Sequence, residues 1–218
     1  MEEKEENMKR YTLGEEIFNS VSHGVGIFFA IAGCAVLIVL SAIYADFWAV
    51  ISSVIYGICM LLLYTASTLY HSFTNPKVKE VFRIFDHCTI FLLIAGSYTP
   101  FTLYTLRDSV GWPLFAVIWI SAITGIVLNA VNLEKYENIS VLIYIIMGWS
   151  IIFAVKPLIA AVSTLTLVLL VVGGVLYTSG VIFFILTKYR YMHSIWHLFV
   201  LAGTVFQYFA ILFNIVGM

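Results

Sequence analysis

Seven stretches of this 218-residue chain contain no Asp, Glu, Lys or Arg: 17–45, 47–76, 87–106, 109–133, 138–155, 157–187 and 191–218. An α-helix rises about 1.5 Å per residue, so about 20 apolar residues cross a hydrocarbon core about 30 Å thick. Six of the seven stretches reach that length, and 138–155 is short but within the tolerated range. The longest, 157–187, is expected to begin with an interfacial piece at Pro157 and to cross the membrane over about 165–186. The stretches are continuously apolar, as in 31–43 and 165–175, and show none of the alternation of a transmembrane β-barrel. The expected fold is all-α: one bundle of seven transmembrane helices over 17–218, preceded by a polar segment over 1–16.

Composition supports lipid as the solvent. Hydrophobic residues make up 62% of the chain and charged residues 11%, against about 25% in a soluble domain. The polar start (Glu2, Glu3, Lys4, Glu5, Glu6) and the length of the first apolar run are unlike a cleaved signal peptide. Cys34, Cys59 and Cys88 fall in three different stretches with no paired spacing and read as small apolar residues. A formal net charge of −1 gives no electrostatic footprint for nucleic acid.

Lysine and arginine set the expected orientation. Lys4, Lys9, Arg10, Lys77, Lys79, Arg83, Lys135, Lys188 and Arg190 fall on one side of a seven-span bundle, and only Arg107 and Lys156 on the other. The positive-inside rule then places the N-terminus in the cytoplasm and the C-terminus outside. With seven crossings, His23, His71, His87, His193 and His197 all lie toward the cytoplasmic side, as does Asp86. Reversing the orientation would move them together.

Clustering gives these residues a chemical reading. His193-Ser194-Ile195-Trp196-His197 is an i, i+4 pair whose imidazoles leave one helix face a turn apart and can close on one ion. Neutral imidazole is a good zinc ligand, and three protein ligands with an open position describe a catalytic zinc site. His71 is the candidate third ligand. Ser67 stands one turn deeper on the same face, and Asp86 opens the next stretch, suited to accepting a proton from water. Singly, each residue has a plainer reading: His71 and His193 as solvated helix ends, Asp86 as an ion-pair partner of Arg83 or a helix N-terminal charge. Together they favour a metal site, because a closed constellation offsets the cost of burying polar groups.

Glu16, Asn19, Ser22 and His23 form a second set near the same rim, with Glu16, Asn19 and His23 on one helical stripe. Two readings stand side by side: support for the histidine cluster or contact with a lipid headgroup, and ordinary hydrogen bonding between helices at the interface. His87 reads as structural, since it and Asp86 leave a helix on different faces. Pro100 is expected to kink the third span. Glycines such as Gly26, Gly96 and Gly125 read as close-packing positions, and Trp48, Trp112, Tyr44, Tyr104 and Tyr136 as interfacial aromatics.

These motifs resemble a known family. Glu16-x-x-Asn19-x-x-Ser22-His23, Ser67-Thr68-Leu69-Tyr70-His71, Phe85-Asp86-His87, Gly96-Ser97-Tyr98-Thr99-Pro100 and His193-Ser194-Ile195-Trp196-His197 are similar to the hemolysin III branch of the progestin and adipoQ receptor family. The resemblance runs from about Tyr11 to the C-terminus. It implies a seven-helix bundle with a cytoplasmic N-terminus in a bacterial plasma membrane, and zinc held by His71, His193 and His197 with Asp86 and Ser67 beside it. Relatives include adiponectin receptors and, in the wider superfamily, alkaline ceramidases. Because the chain lacks the long N-terminal region of the eukaryotic receptors, hormone reception is not expected. Three functions follow as alternatives: a zinc-dependent hydrolase cleaving a lipid amide or ester bond, a pore or cytolysin, and a zinc-containing sensor of membrane state. Ionisable groups gathered at one end do not line an aqueous path through a single chain, and three histidines without a fourth protein ligand fit a catalytic site better than a closed structural one.

Overall fold

Capping residues start each of the first three helices, two of them ahead of the charge-free stretches. The computed structural model describes residues 11–217; of the segment expected over 1–16, residues 1–10 lie outside this description, as does Met218. Helix α1 runs Leu13–Tyr44, beginning ahead of residue 17 because Thr12 caps it: Thr12 Oγ1 accepts from Glu15 N–H at 3.4 Å and Glu15 Oε2 accepts from Thr12 N–H at 2.8 Å. Asp46 caps α2, Phe47–Ser72. Asn75 caps α3, Pro76–Pro100, with Pro76 at a first-turn position where its missing N–H costs nothing. Helix α3 therefore carries Lys77, Lys79, Arg83 and Asp86 on regular turns before its apolar stretch begins at 87.

Pro100 ends the α-helical part of the third span by widening it. The chain continues as π-helix over Phe101–Thr105, and the Leu106 N–H reaches the Phe101 carbonyl at 2.8 Å. After a second π turn, Arg107–Gly111, helix α4 runs Trp112–Trp149 with a break at Asn132 (φ −161°, ψ 94°). In a straight helix Asn129 and Tyr144 would stand about 22 Å apart. Here Ser140 Oγ donates to Asn129 Oδ1 at 2.6 Å, and Asn129 Nδ2 lies 3.5 Å from the Tyr144 hydroxyl. The two limbs of α4 thus fold back side by side at Asn132, whose Oδ1 caps the second limb through Lys135 N–H at 3.0 Å.

The second limb passes through a 3-10 turn, Ser150–Ala154, into α5, Val155–Ala161. Pro157 thus stands in a short piece ahead of the span proper, as expected, and that piece continues the run before it. Pro157 belongs to the end of this run, so the short stretch 138–155 gains length and the long one loses it. Ser163 caps α6, Thr164–Ile185, close to the expected start, and α7 spans Met192–Val216.

Six helices are long and apolar enough to cross a membrane, counting Arg107–Ala161 as one run of 55 residues, and the described residues contain no strand. Helix α1 packs on α2 and α7, α2 on α3, α3 on α4, and α6 on α7, while α4 and α6 meet only sparsely. Tyr56, Tyr64, Phe91, Met60, Ile118 and Ile211 fill the core. Phe28, Ile31, Ile120, Val131 and Phe153 point outward, an apolar belt that suits lipid. Gly125 lets the Phe91 ring lie against α4, where an added Cβ would come within 2.1 Å of it.

Candidate metal centre

His71 on the last turn of α2, and His193 and His197 on the first two turns of α7, converge below the rim. All three are buried, and one ligating atom from each lies within 4.8 Å of the others. His193 Nε2 and His197 Nε2 face each other at 3.1 Å. Two nitrogens at about 2.05 Å from one tetrahedral ion would stand about 3.3 Å apart. His71 donates its Nδ1–H to Glu16 Oε2 at 2.6 Å, which leaves Nε2 with the lone pair. That Nε2 is buried and has no hydrogen-bond partner among the described residues. The donor set fits a divalent ion: each nitrogen with an assignable tautomer turns its lone pair inward. The structure thus forms a three-histidine group able to hold a metal.

The α1 stripe surrounds these rings. Glu16 also accepts from Lys79 Nζ at 2.8 Å, so its charge is balanced. Asn19 is fully buried and connects three helices. Its backbone carbonyl accepts from His197 Nδ1–H at 3.3 Å, its Oδ1 accepts from Ser194 Oγ at 2.6 Å, and its Nδ2 lies 3.5 Å from His71 Nδ1. Ser22 Oγ donates to the Asn19 carbonyl at 3.0 Å and lies 3.4 Å from His197 Nδ1. His23 stacks on His197 with ring centres 3.7 Å apart and planes 10° from parallel. Glu16, Asn19, Ser22 and His23 therefore all touch a ring of the three-histidine group.

Sequence reading missed several neighbours. Glu15 Oε1 accepts from Tyr191 N–H at 2.6 Å and holds that residue at φ 61°, the left-handed turn from which α7 starts toward His193. A non-glycine residue there costs about 1–2 kcal/mol, so the contact fixes a strained entry to the site. The Thr12-x-x-Glu15 spacing marks a capping box but gives no sign of the contact to Tyr191. Tyr11 stacks on His193 at 4.9 Å, and Ser194 lies between the paired histidines. Lys79 gave no sign, since only the fold brings it to Glu16.

Behind the histidines lies a cavity of about 370 Å³. His193, His197, His23, Asp86 and His87 line it, and the rest of its lining is mostly apolar, with residues of α3, α4, α6 and α7 such as Ile94, Leu170 and Trp196 beside a few polar side chains such as Ser97, Thr178 and Gln207. Asp86 and His87, neighbours in sequence, thus both line it. His87 is nonetheless held structurally: its Nδ1–H donates to the Arg83 carbonyl at 2.9 Å, and its own carbonyl accepts from Tyr144 OH at 2.8 Å. Ser67 is fully buried one turn from His71, its hydroxyl without a partner among the described residues.

Apolar helices around a three-histidine centre define a multi-pass membrane protein with a candidate metal site. The chain belongs to the haemolysin III family: residues 11–208 match the family described as "Haemolysin-III related". It is 45% identical to Hemolysin-3 of Bacillus cereus over 212 residues, 96% of this chain and 97% of that one. Identity to the Hemolysin-3 homolog of Bacillus subtilis is 42% over 203 residues, covering 93% and 95%. Human monocyte to macrophage differentiation factor is 32% identical over 210 residues, covering 92% and 84%. Together with the apolar helices, these bacterial relatives place the chain in the plasma membrane as a multi-pass protein. The family read from the motifs is the family found.

Proposed function

We propose that this protein is a zinc-dependent hydrolase of the membrane interior, cleaving an amide or ester bond in a lipid. The observation that carries the reading is the apolar cavity that ends at Asp86, His193 and His197. A lipid acyl chain would occupy its apolar part and bring a carbonyl to its polar end. The bundle would cross the membrane seven times, since Arg107–Ala161 folds back at Asn132, where Glu134, Lys135 and Glu137 cluster. By the positive-inside rule the histidine end, with its basic rim residues, would then lie in the cytoplasmic half.

His71, His193 and His197 would hold the ion, His71 through Nε2. When bound, zinc supplies Lewis-acid polarisation of a carbonyl and acidifies water. Glu16 and the Asn19 carbonyl take the Nδ1–H of His71 and His197, which fixes both tautomers and aims the lone pairs. Asp86 takes a proton as water adds to the carbonyl and returns it to the leaving amine or alkoxide, giving a fatty acid and the freed headgroup. Ser67 supports the site beside His71 with its hydroxyl.

Lysis, the activity in the names of the Bacillus relatives, has no corresponding feature among the described residues. The wall of the cavity is mostly apolar, unlike an aqueous pore.

Elemental analysis of detergent-purified protein and hydrolysis of fluorescent N-acyl and ester lipids test the proposal together. About one zinc per chain and cleavage lost at least about 100-fold in Asp86→Asn, with zinc retained, are expected. No zinc after metal supply, or cleavage unchanged in Asp86→Asn, would sink it.

A further inference from the structure

Lys79 stands on the first turn of α3, outside the two helices that supply the histidine group. Its ammonium donates to Glu16 Oε1 at 2.8 Å and to the Tyr70 carbonyl at 2.9 Å, and lies 3.5 Å from the Phe73 carbonyl. The other oxygen of the same carboxylate, Glu16 Oε2, accepts the Nδ1–H of His71 at 2.6 Å. Lys79, Glu16 and His71 thus form one line from the rim to the metal group. The side chains of Lys79 and Glu16 are 14% and 16% exposed, so salt and water screen this pair less than a pair on the open surface. A carboxylate behind a ligating imidazole raises the electron donation of that ring to a metal. Here the carboxylate also answers an ammonium, so its charge is divided between the ring and the cation. Fastening α3 to the end of α2 requires only the two carbonyl contacts. The contact to Glu16 adds something different: a positive charge directly behind the carboxylate that supports a ligand.

We propose that Lys79 is a positioning residue for the metal centre that acts through Glu16: it orients the carboxylate and limits the negative charge that His71 meets. Without the ammonium, the full carboxylate charge faces His71, and metal binding strengthens. A partly buried carboxylate that has lost its cation is also unfavourable in the metal-free protein. A dication at the histidines relieves it, which acts in the same direction. If Lys79 were only a clamp on the end of α2, its loss would loosen His71, and metal binding would weaken instead. The sign of the change separates the two roles. Weaker donation from His71 also leaves a bound ion the stronger Lewis acid, which is what polarising a carbonyl requires. The inference rests on the reading of the three-histidine group as a zinc site, and its test reads metal affinity.

The test is the zinc affinity of the full chain in detergent, measured by competition with a chelator of known affinity. Lys79→Met is expected to bind zinc about tenfold more tightly than wild type. Lys79→Gln, which keeps a donor for the α2 carbonyls but no charge, should also bind more tightly, and Lys79→Arg should match wild type. In a Glu16→Gln background the gain from Lys79→Met should shrink to about threefold or less, because the carboxylate that transmits it is gone. If Lys79→Met does not fold, Lys79→Gln carries the same reading. Unchanged or weaker affinity in either uncharged variant, a gain in Lys79→Arg as large as in Lys79→Met, or an undiminished gain in the Glu16→Gln background would each overturn the proposal. Wild-type protein that takes up no zinc would sink the metal centre and this role with it. Zinc bound by wild type with no gain in the variants would sink the role of Lys79 alone.

Discussion

The two ends of the bundle are both polar, yet they treat their polar groups in opposite ways. At the end away from the histidines several polar side chains are answered by a neighbour. Asp46 accepts from Arg107 at 3.0 Å, Ser41 and Ser53 share a hydrogen bond of 2.7 Å, and Asn214 donates to Thr105 at 2.7 Å. Trp119 donates its indole N–H to Thr99 at 3.2 Å, beside the widened turn after Pro100. At the histidine end, Ser67 and His71 present buried atoms with no partner among the described residues. Burying such atoms costs stability unless something answers them. Polarity inside a membrane protein is common; unanswered polarity converging on one point is what marks a site.

The strongest way to break this comparison is to remove a ligand. His71→Ala is expected to lower zinc from about one per chain to less than about a tenth, because two imidazoles hold the ion far less tightly than three. The helices should persist, since the cluster occupies one rim and the core of Tyr56, Phe91, Met60 and Ile211 lies elsewhere. Elemental analysis and circular dichroism on the same sample decide it. A variant that keeps its zinc would mean that the histidines of this end are not a metal site.

Glu16→Gln sharpens the comparison. The glutamine side chain still accepts from His71 Nδ1–H but loses the charge shared between His71 at 2.6 Å and Lys79 at 2.8 Å. Changing the outer partner of a metal-bound histidine typically costs 10–100-fold in metal affinity, and roughly the lower part of that range is expected here because the hydrogen bond survives. Competition with a chelator of known affinity measures it. Unchanged affinity would return Glu16 to an ordinary contact between helices, the second of the two readings its spacing allowed.

How much of this was legible in the sequence depends on the range of the contact. The spans were readable because a charge is costly in hydrocarbon wherever the chain is folded, and the motif residues of α2 and α7 were readable because an i, i+4 spacing puts two side chains on one helix face. Asn132 was hidden. It lies just before Glu134 and Lys135, which mark a loop, and the limbs turn there with almost no interruption of the helical run. Pro157 was legible in part: it stands in the first turn of a short separate piece, α5, ahead of the span proper, but that piece continues the run before it. Lys79 and Glu15 escaped because their partners are remote in the chain: Glu15 meets Tyr191 across most of its length.

The smallest expected effect comes from the answered end. Arg107 is paired with Asp46 at 3.0 Å and Asp108 at 3.4 Å, and lies over the Trp48 ring at 5.9 Å. These side chains stand near the surface, where water and salt compete with each contact, and such pairs contribute little. Arg107→Ala should shift the melting temperature by no more than about 3 °C and leave the zinc content and lipid binding unchanged. If zinc were lost in Arg107→Ala, the two ends would be coupled through the helices between them, and the division between a scaffold end and a site end would fail. If the protein holds its zinc, the rim near Arg107 is scaffold, and mutations that alter binding should be sought among the rings around His197.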